Sequence, residues 1–421
     1  IARPMRVVLP YHPAQRFEAS TPTSRLLSWV MPWAQGRRPA WLLRLGLFIY
    51  DHLGPRRILP GTRKLDLTTA PEGAPLQDHY ATAFEYSDCW VEDSRLVVLT
   101  ARDAADRGAA ILTRTKVISA KRAGSLWEIR LEGPDGPRQV TAAALVNAAG
   151  PWVEDVLRGT LGQNSAAGVR LVRGSHLVVR KLYDHDKAYF LQGRDGRIMF
   201  AIPYEGAFTL LGTTDADHPD PSTKPGISPE ERDYILAFAS EYFAQPVTED
   251  DVVWSYSGVR PLYDDGAASA SAATRDYVLD LETREGAAPV LHVFGGKITT
   301  FRRLAEEALE KLHGVIEIPG KAWTAVAPLP GGDFPVKGVD ELIVALRDGY
   351  PFLDAAWATR LIKAYGRKAW DMLGAAKTAS DLGVAFGETL TEAECRYLVA
   401  QEFASTAEDI LWRRSKLGLR L

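Results

Sequence analysis

Two cysteines, Cys89 and Cys395, in 421 residues are too few for a disulfide framework, so buried thiols in a reducing compartment are expected. No run of about eighteen or more uncharged apolar residues occurs, so no segment reads as a bilayer-spanning helix. Cysteine and histidine nowhere take zinc-site spacing, and neither a G-x-S-x-G nucleophile elbow nor a Walker loop is present. Gly174-Ser175-His176 is too short a likeness to a hydrolase nucleophile to count. No metal is expected. A formal net charge of -3 gives no electrostatic footprint for nucleic acid. G-x-G-x-x-G is also missing, and the chain starts at Ile1 rather than Met, so the lack of a visible signal peptide says little. With 46% hydrophobic residues, the length suits two or three domains with ample core.

The most informative segment lies late in the chain. A strand-like run, Val290 to Phe294, breaks at Gly295-Gly296-Lys297 and enters a helical pattern carried by Ile298, Phe301, Leu304, Ala305, Ala308, Leu309 and Leu312, with Gly314 as a stop. That junction puts the free amides and positive dipole of a helix N-terminus beside a lysine, which suits an electron-rich or anionic group. On its own it reads equally as a tight turn between a strand and a helix.

Other segments keep it company in a fixed order: Phe84-Glu85-Tyr86-Ser87-Asp88-Cys89-Trp90, then Leu145 to Trp152 (LVNAAGPW), Arg173-Gly174-Ser175-His176, and Gly212-Thr213-Thr214-Asp215. Ser257 to Pro261 (SGVRP), Thr274-Arg275-Asp276-Tyr277, and Phe294 to Arg302 (FGGKITTFR) follow. In this order they resemble the aerobic, FAD-dependent glycerol-3-phosphate dehydrogenases, and the likeness extends to Leu411 to Gly418 (LWRRSKLG). The resemblance implies FAD as cofactor, with the backbone of Val117 at the adenine and Ala149-Gly150 lining the dinucleotide. Gly295, Gly296, Lys297, Ile298 and Thr299 would meet the flavin at the helix start. Family members open with a glycine-rich turn that holds the pyrophosphate, and that fingerprint is missing. The first part of the flavin domain is therefore expected to lie outside this sequence.

The fold class expected is α/β of mixed α+β character: an incomplete FAD-binding Rossmann-like domain, an antiparallel-sheet substrate domain and a small C-terminal helical domain. Residues 1–83 read as part of the substrate or cap domain, 84–168 as flavin domain, 169–284 as substrate domain, 285–327 as the return to the flavin domain and 328–421 as the helical domain. The pattern predicts a helix through Leu96 to Ala105, capped by Asp93 or Ser94 and ended by Gly108, then a strand from Ala110 to Val117. Trp127 to Leu131 pairs with Arg138 to Thr141 across Pro134-Asp135-Gly136, and Ala143 to Asn147 makes a buried strand. Strands follow at Val169 to Arg180, Ile198 to Pro203, Thr209 to Thr213 and Val252 to Val259, with a helix from Pro229 to Phe243. Beyond Pro328 to Gly332, helices are expected at Val339 to Arg347, Ala355 to Tyr365, Glu392 to Ala400 and Thr406 to Trp412.

Oxidising a secondary alcohol by hydride transfer requires a base, an aligned acceptor and charge to hold the substrate. A phosphate monoester suits two arginines gripping it bidentately, and Arg260 with Arg275 is the natural pair; an arginine at a strand end also suits a surface ion pair. His176, neutral near pH 7, is the first candidate base, although a lone strand histidine is commonly structural. Lys297 would stabilise charge on the reduced flavin or bind the substrate oxygen, while Thr213-Thr214-Asp215 would line the cavity, with Thr214 touching substrate, or cap a turn.

The resemblance thus implies oxidation of sn-glycerol 3-phosphate to dihydroxyacetone phosphate by hydride transfer to FAD, with electrons passed to a membrane quinone. An oxygen-using glycerophosphate oxidase, a related flavin amine oxidase, and a truncated, catalytically dead remnant are the alternatives. Expected partners are glycerol 3-phosphate, quinone and a peripheral bilayer contact on the inner face of the cytoplasmic membrane; a homodimer stays open. From Ser24 to Leu53, aromatic and aliphatic residues alternate with arginines, notably a Trp29-Val30-Met31-Pro32-Trp33 tip near Arg37, Arg38 and Arg44. That texture suits a segment lying in the headgroup layer, or a core-packed helix ending at Gly54-Pro55.

Overall fold

The computed structural model describes residues 2–13, 39–53, 58–163, 168–193, 195–264 and 276–421. Strand β1 (Ala2–Tyr11) leads to helix α1 (Ala40–Asp51), β2 (Arg63–Asp66), β3 (Thr82–Val91) and α2 (Asp93–Asp106). A three-stranded meander follows, β4 (Lys116–Ala123), β5 (Leu126–Gly133) and β6 (Gly136–Ala142), then the short β7 (Leu145–Asn147). Next come β8 (Val169–Arg180), β9 (Ala188–Gln192), β10 (Ile198–Tyr204), β11 (Phe208–Gly212), β12 (Ala216–Asp217), α3 (Pro229–Ser240) and β13 (Val252–Tyr263). The hairpin β14 (Tyr277–Arg284) and β15 (Ala287–Gly295) runs into α4 (Phe301–His313), and the helical end of the chain contains α5 (Val339–Gly349), α6 (Ala355–Tyr365), α7 (Lys368–Leu373) and α8 (Glu392–Gln401).

Nine strands among the described residues form one large sheet in the order β12-β8-β11-β10-β9-β1-β3-β2, with β13 along the other edge of β8. Its pairings are antiparallel except β1 with β9. Leu177, Val179, Leu191, Ala201 and Leu211 project from one face onto Ile235, Leu236, Phe238 and Ala239 of α3. Each large side chain so buried contributes about 1.5–3 kcal/mol. Helix α3 starts sharply: the Ser228 hydroxyl accepts from the Glu231 amide, Glu231 reaches back to the Ser228 amide, and Pro229 fills the first turn.

A second sheet is smaller: β14 pairs antiparallel with β15, and β15 runs parallel to β7 with Val290 opposite Leu145. The β4-β5-β6 meander packs on it through Trp127, Ile129 and Leu131 against Ala288 and Val290. A separate core holds the C-terminal helices together around Leu346, Ala358, Leu361 and Leu398. It is tied to the rest by the buried Arg95 of α2, which bonds Glu402 and the Ala364 carbonyl (2.8 Å). The fold is the mixed architecture expected from the sequence.

Several boundaries differ. β3 pairs with β1 without interruption from Thr82 to Val91, so the division expected at 83/84 cuts a continuous ladder and residues 84–91 belong to the large sheet. β14 bonds only β15 among the described strands, so the division at 284/285 falls in a hairpin turn. The strand expected from Ala110 begins only at Lys116, because a turn intervenes in which Arg114 takes φ 55°. Neither Asp93 nor Ser94 caps α2: Glu92 is the N-cap residue without a side-chain bond, and Asp93 lies inside the first turn.

The core-packed alternative for α1 is met on one side only. Leu47 lies against the cluster of Val7, Tyr86 and Ala188, and Tyr50 meets Tyr86 edge-on at 5.8 Å, yet no residue of the helix is buried. The Trp29 to Trp33 tip lies outside the described residues. No described helix is long and apolar enough to cross a membrane.

Candidate active site

β8 and β13 pair along nearly their whole length, with His176 opposite Tyr256, Gly174 opposite Gly258 and Val172 opposite Arg260. Because strand side chains alternate, these residues share one face while Ser175 and Ser257 occupy the other. The His176 ring stacks on Tyr256 with centroids 5.0 Å apart and planes 8° apart. Glycine at 212 makes room for it, since a Cβ there would lie 2.3 Å from His176 Cδ2. The buried Nδ1 of His176 has no hydrogen-bond partner among the described residues. Burial, reinforced by the Arg260 charge and opposed by Asp93, pushes the imidazole down to about 4. It is therefore neutral at pH 7 and able to accept a proton.

Arg260 is half-buried. It donates to Asp215 (2.5 Å), to the Thr213 hydroxyl (3.0 Å) and to the Thr214 carbonyl (3.4 Å). The ion pair anticipated as an alternative is thus present, but on the same face as His176. Gly174 is what lets the guanidinium lie over the strand, because a Cβ there would come 2.1 Å from its terminal nitrogen. The Thr214 hydroxyl is buried, accepts from the Ser175 amide (3.0 Å) and donates to Glu231 (2.6 Å), so the side chain points away from the His176 face and toward α3. Arg275, the second arginine, lies outside the described residues.

At the flavin side, β7 and β15 run parallel, so Ala149-Gly150 and Gly295-Gly296 leave the carboxyl ends of adjacent strands, where open α/β sheets bind cofactors. Gly150, Gly295 and Gly296 take φ of 56°, 74° and 103°, and a Cβ on Gly295 would lie 2.9 Å from the Asp276 carbonyl and 3.4 Å from the Tyr263 amide. Only glycine fits that approach. The same contact seats the turn against the end of β13, three residues beyond Arg260. Lys297, Ile298 and Thr299 are exposed, the ammonium of Lys297 makes no bond among the described residues, and a short turn at Ile298–Thr300 precedes α4. Free amides, positive φ and a lysine at the carboxyl ends of parallel strands fit a dinucleotide bearing a flavin. Val117 stands exposed near the head of β4 with its backbone in register with Leu131.

Residues 30–302 match the family model described as FAD dependent oxidoreductase, and residues 322–420 match the C-terminal domain of alpha-glycerophosphate oxidase. A Pseudomonas aeruginosa glycerol-3-phosphate dehydrogenase is 47% identical over 396 residues, 94% of this chain and 77% of that protein. The Escherichia coli aerobic glycerol-3-phosphate dehydrogenase is 43% identical over 387 residues, covering 91% and 76%. The chain belongs to the FAD-dependent glycerol-3-phosphate dehydrogenase family. A D-erythritol 1-phosphate dehydrogenase of Brucella abortus is also 46% identical over 397 residues, 94% of this chain and 79% of that protein. Among solved structures, a Bacillus halodurans glycerol-3-phosphate dehydrogenase complexed with FAD shares the fold, with a TM-score of 0.72, 24% identity and coverage of 99% and 73%. FAD is the cofactor, as the match to the FAD dependent oxidoreductase family shows.

Sequence reasoning missed Asp215 as the partner of Arg260, Tyr256 beneath His176, and Glu231. Only Glu231 had a local signal, the Ser-x-x-Glu spacing of a capping box at 228–231.

Proposed function

We propose that the protein oxidises sn-glycerol 3-phosphate to dihydroxyacetone phosphate and hands the electrons to a membrane quinone. The observation that carries this reading is the placement of a neutral histidine and a half-buried arginine on one glycine-floored face of a strand pair whose far end, at Tyr263, meets the Gly295-Gly296 turn. Ala149, Gly150, the 295–299 turn and the Val117 backbone would hold FAD, which would supply the hydride acceptor. His176 takes the proton of the C2 hydroxyl on its imidazole. Arg260 holds the phosphate, with Arg275 as its partner in the clamp; burial is the main cause that depresses His176, and a dianion beside Arg260 offsets the second, the arginine charge. Lys297 stabilises negative charge at the flavin's pyrimidine end.

The test is kinetic. Arg260→Ala in the flavin-loaded enzyme removes a charge-assisted grip of about 1.5–3 kcal/mol, so KM for glycerol 3-phosphate rises roughly ten- to a hundred-fold. Glycerol stays a poor substrate in both forms; unchanged turnover of glycerol 3-phosphate sinks the assignment. The Brucella relative favours a second substrate of the same chemistry, a tetritol phosphate, and side-by-side kcat/KM for the two phosphates decides between them.

Delivery to quinone requires docking at the bilayer, and α1 suits it. Trp41, Leu45, Phe48 and Ile49 fall at helical spacing on one exposed side, with Leu53 just beyond and Arg44 alongside. Trp41→Ser with Phe48→Ser is expected to release the enzyme from anionic liposomes and slow quinone reduction while leaving turnover with a soluble dye intact. Undiminished sedimentation with liposomes removes α1 as the docking element.

A further inference from the structure

Glu231 lies behind the sheet, on the face opposite His176 and Arg260, and gathers four donors. One carboxylate oxygen accepts from the Thr214 hydroxyl (2.6 Å) and the Ser175 hydroxyl (3.2 Å); the other accepts from Arg173 (2.7 Å) and the Ser228 amide (3.0 Å). Ser175 in turn lies 2.8 Å from the Ser257 hydroxyl, which ties β8 to β13 on that face. Burial works against ionisation of Glu231, but the Thr214 bond, the Ser228 amide and Arg173 outweigh it and hold the carboxyl below the usual range.

We propose that Glu231 is a positioning residue for substrate phosphate: it fixes the 213–215 turn from behind, and that turn fixes the Arg260 guanidinium in front. The inference rests on the reading of Arg260 as the phosphate grip. Thr214 is the hinge of the argument. Its hydroxyl spends its proton on Glu231 and accepts from the Ser175 amide, so the residue has no freedom to rotate toward the front face. Its neighbours on either side, Thr213 and Asp215, and its own carbonyl are the acceptors that hold Arg260. A carboxylate pulling Thr214 backward thus determines where the three acceptors stand, and the acceptors determine where the guanidinium points.

The competing explanation is that Glu231 only completes the capping box of α3. The two roles separate cleanly. Gln serves in a capping box as well as Glu, but a carboxamide has one oxygen and cannot receive four donors. In the flavin-loaded holoenzyme, Glu231→Gln is expected to raise KM for glycerol 3-phosphate roughly ten-fold, the equivalent of one good hydrogen bond, with kcat within about two-fold. Glu231→Asp restores part of that loss. Ser228→Ala, which removes the cap but leaves the bonds to Thr214 and Arg173, lowers Tm without moving KM. Thr214→Val reproduces the KM rise and adds nothing to Glu231→Gln, and Glu231→Gln adds nothing to Arg260→Ala, because residues acting through one group are not additive. An Arg260→Ala enzyme with unchanged KM overturns the phosphate reading itself. A raised KM in Arg260→Ala beside an unmoved Glu231→Gln overturns the Glu231 inference alone. So does an equal KM shift in Ser228→Ala, or additivity with Arg260→Ala. Should Glu231→Gln fail to fold, Thr214→Val carries the same comparison.

Discussion

Behind the β8–β13 pair, the Ser175 and Thr214 hydroxyls donate to Glu231 and Ser257 bonds Ser175. On the front face, two glycines lie between a stacked histidine with an unpartnered nitrogen and an arginine. The strands are the same and their polar residues are about equally numerous, so composition does not distinguish the faces. Satisfaction does. A buried hydroxyl whose proton is given to Glu231 has no donor left for a ligand, whereas the imidazole beside the open floor keeps a nitrogen without a partner among the described residues. The front face is divided again along its length: toward Val178 and Trp254 it is closed by the C-terminal segment, where Trp412 stacks on Trp254 at 4.5 Å and Leu419 joins the cluster.

If the division is right, front-face changes at the open end alter kinetics and spare stability. His176→Ala is the largest case: loss of a general base slows flavin reduction by roughly two to four orders of magnitude, while the flavin stays bound. Stopped-flow reduction under anaerobic conditions reads this directly, and an unslowed variant excludes His176 as base. At the closed end the reverse holds. Trp412→Ala costs about 2–3 kcal/mol of stability, less than a fully buried tryptophan because the ring is only half-buried, and lowers Tm. KM for the phosphate substrate remains unchanged there; a shifted KM with unshifted Tm contradicts the division.

Much of this was legible beforehand, and the pattern of success follows sequence separation. β8 was read at its observed limits because its own residues alternate and its ends are marked by a change of texture, and the Trp127–Arg138 hairpin followed from its turn. The glycines of the 295–296 turn were also readable, since a strand-to-helix junction constrains them locally. What was not legible depends on partners far away in the chain. The run of β3 across 83/84 was hidden because its mate is β1, more than seventy residues earlier, and no local signal announces that ladder. The side-chain direction of Thr214 was hidden for a similar reason: its hydroxyl is held by Glu231, seventeen residues on and in another element.

Acidification offers a stability test of the front face that needs no substrate. The fold prefers His176 neutral, with its proton bound only near about 4, whereas the unfolded chain protonates near the ordinary value of 6.5. Between those values the unfolded state carries the extra proton, so this site's contribution to stability falls as pH falls through the window and levels off below it. At pH 5 the loss amounts to roughly 2 kcal/mol. His176→Phe keeps the stack on Tyr256 without titrating, so the Tm difference between wild type and variant should shrink in favour of the variant from pH 7 to pH 5. Parallel Tm curves would mean that the ring is solvated enough to titrate normally, despite Arg260 beside it.

The smallest effect is also the sharpest, because two glycines on the same open floor make different demands. A methyl at 174 would meet the Arg260 terminal nitrogen at 2.1 Å and the Thr213 hydroxyl at 2.8 Å, whereas a methyl at 258 would meet nothing within 4 Å. The atom displaced at 174 is the end of a flexible side chain, so the fold yields cheaply; neither glycine has positive φ, and alanine even trims the entropy of the unfolded chain. Gly174→Ala is therefore expected to keep its Tm and raise KM roughly ten-fold by moving the guanidinium. Gly258→Ala leaves Arg260 where it is, so any change in its KM measures what lies over the floor rather than what lies in it. A Gly258→Ala enzyme that binds glycerol 3-phosphate like the wild type places the substrate away from Gly258, toward His176 or Arg260. One that loses affinity while Arg260 keeps its bond to Asp215 fixes the substrate or the flavin ring directly above the strand.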